Sequence, residues 1–407
     1  MHTSSQGFEI QGVSVSELTD TFGTPLYVYD GAKIVEQVKT LQRAFSGVKH
    51  KIKYAAKALT NISILKLIRQ AGAGVDVVSI FEARLALHSG YTPNEIMFTP
   101  NGVSFEEIKE GVDLGLTINI DNLPTLEKFG KEYGTKYPCG LRLNPHIMAG
   151  GNLKISTGHK HSKFGISIQQ LPEILEIVKN YKLIIQSLHI HTGSEIADVD
   201  VYLMMADVLF DAAKSFPHLQ SFDFGGGFKV KYKEDDKITD IARLGTELSN
   251  AFNQYCKKEK RDLELWIEPG KFIVGEAGYL ITKANVVKET PTITFVGVDT
   301  GLNHLLRPMM YEAYHEIVNG SNISGEMKKY NIVGNICETD TLGADRQLHT
   351  VNEGDLIVIK NAGAYGFSMA SNYNSRPRPA EVLIVDGKPK LIQQREVFED
   401  LLRGQIL

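Results

Sequence analysis

The 407-residue chain carries 44 Lys and Arg against 48 Asp and Glu, a formal net charge of −4, and is 43% hydrophobic. That balance leaves no basic footprint for nucleic acid or an anionic membrane, and the length suits two domains better than one core. Cys139, Cys256 and Cys337 are widely spaced with no CxxC pair, which argues against a disulfide framework or a zinc site and for a reducing compartment.

Met1 to Gly12 has no basic-then-apolar signal pattern, and no apolar run approaches membrane-spanning length. The expectation is a cytoplasmic protein acting on small molecules, with no membrane or nucleic-acid partner. Phe8 to Leu18 reads as a short strand and a helix start, and Pro25 to Tyr29 as a strand. A strand–helix alternation then runs from about residue 30 to residue 275. Strand-like runs fall at Ile52, Val75–Val78, Ile96–Phe98, Thr117–Ile120, Leu141–Leu143, Ile184–Ile190, Phe222–Phe224 and Leu263–Ile267. Helical patterns between them include Ile62–Ala71, Phe81–Ser89, Leu123–Tyr133, Leu171–Asn180, Tyr202–Ser215 and Leu244–Lys257. Eight such units over about 250 residues match a TIM-like (β/α)8 barrel; a doubly wound open sheet is the competing architecture. Beyond residue 275, strand-like runs at Tyr279–Val287, Thr292–Asp299, Tyr330–Cys337, Asp355–Lys360 and Glu381–Val385 have few helical patterns between them. The expected organisation is α/β plus β: a barrel over residues 25–275, and a C-terminal mostly-β domain over 276–407 completed by residues 1–24.

Chemistry-bearing residues collect after the apolar runs. Lys57, Asp76, Asn101, Asp121, Asn144, His191, Gly225–Gly227 and Glu268 each follow a different proposed strand, and in a barrel those ends converge on one face. Turn chemistry explains Asp and Asn there, but not a lysine, a histidine and a glutamate together. Ile52 and Tyr54 alternate with Lys51 and Lys53, a strand with one buried face. Alanines beside Lys57 leave room for a group bonded to its amine, and desolvation would make that amine a nucleophile or Schiff-base former. Taken alone, Lys57 also fits a solvated strand-end lysine. Gly225-Gly226-Gly227-Phe228 suits a turn whose bare amides approach an anion, although a sharp turn is the commoner use of such glycines. Glu268-Pro269-Gly270-Lys271 adds a second turn with a cation beside it, and Ser194 offers a third contact. Glu268, at the mouth of a buried strand, needs a cationic partner: a structural Arg or Lys, or a protonated heterocycle nitrogen. His191 is either a satisfied core histidine or an aromatic plate. Together these features describe a site for pyridoxal 5′-phosphate, with no metal.

The Lys57 strand, His191-Thr192-Gly193-Ser194, the triple glycine and Glu268-Pro269-Gly270 resemble the fold-type III, alanine-racemase-like decarboxylases. Cys337-Glu338-Thr339-Asp340, Gly363-Ala364-Tyr365-Gly366 and Ser371 to Arg378 are similar to the diaminopimelate decarboxylases among them. The resemblance, from about Pro25 to Leu402, implies decarboxylation of meso-2,6-diaminopimelate to L-lysine by a head-to-tail homodimer with shared active sites. It implies that Lys57 holds the cofactor covalently, that His191 stacks on it, and that Ser194, Gly227, Glu268, Pro269, Gly270 and Lys271 bind it, Glu268 at the ring nitrogen. It implies that Arg307 and Tyr311 bind the distal carboxylate, and that Cys337 and Glu338 reach across from the partner subunit. Cys337 would act at the reacting carbon, Glu338 would take the distal ammonium, and Tyr365 would touch cofactor and substrate. The family motif usually ends in arginine where this chain has Lys271, which shifts distal-carboxylate recognition toward Arg307 and Tyr311. Either Lys57 or Cys337 would return a proton to Cα. Sister decarboxylases for ornithine, arginine or carboxynorspermidine, and a catalytically silent cofactor-binding regulator, are the alternatives. Pro145 to Ser162 reads either as a lid or as an ordinary loop, and Cys139 and Cys256 as packing residues.

Overall fold

The strand–helix alternation closes on itself. Eight parallel strands form a barrel: β1 His50–Ala55, β2 Gly74–Val77, β3 Ile96–Phe98, β4 Thr117–Ile120, β5 Cys139–Asn144, β6 Ile185–Ile190, β7 Ser221–Asp223 and β8 Glu264–Ile267. Each pairs with the next, and β8 returns to β1 with Ile267 opposite Ile52. That closure rules out the open doubly wound sheet. The structure, a computed structural model, describes residues 7–150 and 157–406 and the backbone of residues 3 and 4. Among the described residues no helix is long and apolar enough to cross a membrane.

Several helices start on a side chain that satisfies an otherwise orphaned N–H. Asn61, Ser79, Ser104, Asn122 and Asp240 cap Ile62–Gln70, Ile80–His88, Phe105–Asp113, Leu123–Tyr133 and Ile241–Glu259. These caps, not hydrophobic periodicity alone, fix where each strand's exit becomes a helix.

The expectation of one buried face per strand fails at β1. Lys53 is only 1% exposed; its Nζ donates to the Glu95 carbonyl at 3.0 Å and lies 5.0 Å from the Trp266 ring centroid. Burial, reinforced by Lys51, lowers its pKa to about 8. Barrel strands are covered on both faces, so alternate polar residues turn inward. Asn119 and Ser187 are fully buried with Gly140 between them.

The remaining chain forms a separate compact unit, Met1–Val35, Lys231–Asp236 and Ile273–Leu407, while Glu36–Val230 and Lys237–Phe272 form the barrel unit. Its spine is the long strand Gly278–Glu289, which pairs with Leu26–Asp30, Leu356–Ile359 and Thr294–Val298. Leu26–Asp30 also runs parallel to Ala380–Val385. The strand near residue 26 therefore belongs to this sheet and not, as the expected boundary at residue 25 has it, to the barrel. The physical reason is that Leu26, Tyr27, Val28 and Tyr29 are all fully buried, which requires a strand on each side. Phe8, Ile10, Leu18, Val28, Ile281, Val358 and Val382 share one core, so the N-terminal segment packs there too. The strand expected over Tyr330–Cys337 is Met327–Val333 and stops before Cys337. Strands Thr341–His349 and Lys388–Gln393 were not legible, because their solvent faces are polar and broken by charge.

A methyl group added at Gly140 would collide with Asn119 Oδ1 and Ser187 Oγ. Gly140→Ala should therefore destabilise the barrel by roughly 1–3 kcal/mol, read from the urea midpoint. Gly47→Ala, whose new methyl would meet only Ser249 Cβ at 3.8 Å, should shift stability by no more than about 0.5 kcal/mol.

Candidate active site

Four neighbouring strands, in barrel order β6, β7, β8 and β1, carry the barrel's expected site residues at their C-terminal ends. β1 passes into a tight turn, Ala56–Ala58, that holds Lys57 exposed while Ala55, Ala56 and Ala58 are buried. The lysine thus stands solvent-exposed at the barrel mouth, as its reading as a strand-end lysine has it, and not desolvated. The Glu268–Gly270 turn packs directly beneath it. Ala55 N–H donates to the Pro269 carbonyl at 3.1 Å, and a Cβ at Gly270 would sit 3.2 and 3.3 Å from the Cβ atoms of Ala55 and Ala58.

Glu268, 7% exposed, forms the floor of this mouth. Its Oε2 lies 3.1 Å from His189 Nε2, and the ligating atoms of His189, Asp223 and Glu268 all lie within 4.8 Å of one another. Burial alone would raise the Glu268 pKa, but His189, His191 and Lys57 together outweigh it and hold the carboxyl at about 2. Asp223 and Asp76 go the other way: burial, then the charge of Glu268, pushes both well above the usual carboxylate range. Arg142, buried on β5, is pulled down by burial and supported by the surrounding carboxylates. Among the described residues, Glu268 Oε1 and Asp76 Oδ1 are buried and accept from no N–H donor, and the Asp223 carboxyl is a hydrogen-bonding neighbour of Glu268.

His191 follows β6. Its Nδ1 accepts from Gly226 N–H at 3.3 Å, and burial, then Lys57 and Arg142, holds its pKa well below the ordinary value, so the ring is neutral. The glycine turn after β7 needs its residue type: Gly225 and Gly227 have φ of 63° and 88°, and a Cβ at Gly226 would strike the Glu268 carbonyl. Glu268 N–H and Tyr202 Oη donate to the carbonyls of Gly225 and Gly226 at 2.6 and 2.9 Å. Lys271, 7% exposed, pairs with Glu195 Oε1 at 2.8 Å, clipping the turn after β8 to the one after β6 that carries Ser194. Of Pro145–Ser162, expected as a lid or an ordinary loop, residues 151–156 lie outside the described residues. Beyond that gap Thr157 donates through Oγ1 to the His191 carbonyl at 2.8 Å and through N–H to that of Thr192 at 2.9 Å.

The other expected residues belong to the second unit. Arg307, 3% exposed, opens the short helix Arg307–Tyr311. Its Nη1 lies 3.0 Å from His315 Nε2 and its guanidinium carbon 5.1 Å from the Tyr232 ring centroid. His315 Nδ1 lies 2.9 Å from the Lys360 carbonyl, which gives the ring one donor and one acceptor. Tyr365 has a left-handed φ of 57°. Cys337 and Glu338 lie side by side on an exposed turn.

Sequence reasoning gave no role to Asp76 and missed Arg142, His189 and Asp223 altogether. A signal was present. Each is a polar residue between two apolar ones inside a short strand: Val75-Asp76-Val77, Leu141-Arg142-Leu143, Leu188-His189-Ile190 and Phe222-Asp223-Phe224.

Residues 31–275 match the family model described as pyridoxal-dependent decarboxylase, pyridoxal binding domain, and the chain belongs to that family. Its relatives narrow this to the diaminopimelate decarboxylase branch. The chain is 38% identical over 406 residues to the diaminopimelate decarboxylase of Methanothermobacter thermautotrophicus, covering 97% of this chain and 95% of that one. It is 37% identical over 401 residues to that of Helicobacter pylori, covering 96% and 97%. Among solved structures, the diaminopimelate decarboxylase of Methanocaldococcus jannaschii in co-complex with L-lysine superposes with a TM-score of 0.91 at 33% identity, covering 100% of this chain and 97% of that one. A lysine/ornithine decarboxylase from Vibrio vulnificus, 22% identical with a TM-score of 0.80 over 91% of this chain and 97% of that one, shares the fold.

Because the native pKa of Glu268 lies below its ordinary 4.5, its charge stabilises the fold fully above pH 4.5 and loses that contribution as pH falls toward 2. His189→Phe should raise the Glu268 titration by about one pH unit or more. Carbon-13 NMR of carboxyl-labelled glutamate, assigned with Glu268→Gln, reads it; an unmoved titration would mean that His191 and Lys57 suffice.

Proposed function

We propose that this chain decarboxylates meso-2,6-diaminopimelate to L-lysine with pyridoxal 5′-phosphate as cofactor, as a homodimer with shared active sites. The observation that carries the reading is Glu268 Oε1, a buried oxygen that accepts from no N–H donor, on a carboxyl held charged below Lys57. That oxygen fits the protonated nitrogen of a pyridine ring, and the exposed Lys57 amine fits covalent attachment to an aldehyde.

When bound, the cofactor supplies the sink for the electron pair released with carbon dioxide. Lys57 holds it at the barrel mouth, and Glu268 keeps its ring nitrogen protonated by offering a carboxylate that remains charged at neutral pH. Neutral His191 presents an uncharged aromatic face. Ser194, Gly227, Pro269, Gly270 and Lys271 shape the anion-binding rim, where bare amides approach a phosphate. Arg307 and Tyr311 bind the distal carboxylate; His315 and Tyr232 fix the guanidinium so that little ordering entropy remains to be lost. The partner subunit's Glu338 takes the distal ammonium, the partner subunit's Cys337 lies at the reacting carbon, and Tyr365 contacts cofactor and substrate. Lys57 or Cys337 returns the proton to Cα. A substrate without the distal carboxylate would forgo the charge-assisted pair with Arg307, which selects against simple diamino acids.

Incubated with pyridoxal phosphate, the protein should release carbon dioxide and lysine from meso-diaminopimelate and release nothing from ornithine, arginine or carboxynorspermidine. Lys57→Ala should reduce turnover to background. Release from another substrate only would overturn the distal-site assignment; an absorbance band for bound cofactor without release would favour the silent regulator.

The shared-site arrangement predicts complementation. Lys57→Ala and Cys337→Ala, each nearly inactive alone, should regain about a quarter of wild-type activity after mixing and subunit exchange, since half the dimers then hold one intact site of two. Failure to complement, with exchange verified by mass spectrometry, would place Lys57 and Cys337 in the same subunit's site.

A further inference from the structure

Cys337 lies on a turn whose backbone is unusually well held. Asp340, 1% exposed, accepts from Leu302 N–H at 2.6 Å and Ile336 N–H at 3.0 Å through its carboxylate, and from Gly334 N–H at 2.8 Å through its carbonyl. Any side chain at Gly334 would collide with that carboxylate. The turn is thus anchored at its base, while Cys337 and Glu338 project into the open.

Two residues of a distant segment then reach this pair. Asn374 contacts Cys337 twice: its Oδ1 accepts from Cys337 N–H at 3.0 Å, and its Nδ2 donates to Sγ at 3.1 Å. Tyr373 Oη donates to Glu338 Oε1 at 2.9 Å and lies 3.9 Å from Cys337 Sγ. The hydrogen bond to Glu338, then that to Cys337, pushes the phenol pKa up to about 12, so the phenol stays a donor at neutral pH.

The backbone that aims these side chains is strained. Asn374 and Ser375 both have left-handed φ, 56° and 54°, a conformation that an ordinary L-residue resists and asparagine resists least. Such strain persists only where surrounding contacts over-determine it. They do so here: Asn372 Nδ2 donates to the Arg376 carbonyl at 3.1 Å, Arg376 Nη2 to the Asn335 carbonyl at 3.0 Å, and Ser371 N–H to the Asn303 carbonyl at 2.8 Å.

We propose that Asn374 and Tyr373 are positioning residues that pre-set Cys337 and Glu338, Asn374 fixing the thiol and Tyr373 fixing the carboxylate; this rests on the reading that Cys337 and Glu338 serve the decarboxylase site. A two-point amide clamp restricts a cysteine that would otherwise sample several rotamers, so its sulfur meets the reacting carbon in one direction. The N–H donated to sulfur also stabilises negative charge that develops there as a proton leaves for the reacting carbon. The phenol turns Glu338 to meet an ammonium and offsets part of its desolvation when the substrate covers it.

The test uses the cofactor-loaded enzyme. Cys337 alkylation by iodoacetamide at fixed neutral pH is followed by peptide mass spectrometry, which separates it from Cys139 and Cys256. Asn374→Ala should slow alkylation about five-fold and lower kcat about ten-fold with KM little changed, the loss expected when a donor to a developing charge is removed. Asn374→Asp, which keeps the acceptor for Cys337 N–H but puts a negative charge beside sulfur, should slow alkylation further. It also serves if Asn374→Ala does not fold. Tyr373→Phe should raise KM for meso-diaminopimelate about ten-fold while leaving kcat within about two-fold. Wild-type alkylation and kcat in both Asn374 variants, or an unchanged KM in Tyr373→Phe, would overturn the assignment. Wild-type kcat in Cys337→Ala would instead overturn the site reading beneath it.

Discussion

The barrel depends on how it accommodates Glu268. A buried carboxylate costs several kcal/mol unless its charge is matched, and this one shares its space with Asp76 and Asp223. Three carboxyls so close cannot all ionise. The three are driven apart: His189, His191 and Lys57 favour the charged form of Glu268, while burial and the charge of Glu268 drive Asp76 and Asp223 well above the usual range. Buried Arg142 faces the same cluster from the β5 side.

A charge so placed is useful only if the groups above it cannot move. The turns at the mouth interlock through backbone N–H donors: Glu268 N–H to the Gly225 carbonyl, Ala55 N–H to the Pro269 carbonyl, and Gly226 N–H to His191 Nδ1. Each contact runs between the ends of different strands, so the barrel's own hydrogen-bonded closure sets their spacing. Gly226 and Gly270 let the chains approach to distances that any side chain at 226 would block. Rigid strand ends, not loop flexibility, give the site its precision.

How much of this could be read from the chain follows from the same geometry. Lys57, His191, the triple glycine and Glu268 were legible because each terminates an apolar run, where strand-end convergence applies. Arg142, His189, Asp223 and Lys53 interrupt the runs from within, and alternation normally assigns such residues to a solvated face. In a closed barrel that face is the interior, and closure is a property of all eight strands that no single window contains. The strand Leu26–Asp30 was legible as a strand but not as to its sheet, since its partners lie some 250 and 350 residues away. Tyr373 and Asn374 stood inside a recognisable motif, yet their function depends on left-handed backbone and on a turn nearly 40 residues earlier, and neither leaves a local pattern.

Lys271 shows how a changed residue type alters the division of labour. Where the family motif leads one to expect arginine, a planar fork able to hold two partners at once, this chain has a point charge that meets Glu195 at 2.8 Å in a nearly dry setting. The pair joins the turn after β6, where Glu195 has a left-handed φ beside Ser194, to the turn after β8. In the proposed reaction, recognition of the distal carboxylate then falls to Arg307, whose fork keeps its bidentate geometry and whose position is fixed by His315 and Tyr232. In that proposal the exchange separates two tasks: Lys271 would maintain the rim around the cofactor, and Arg307 would distinguish among the substrates that reach it.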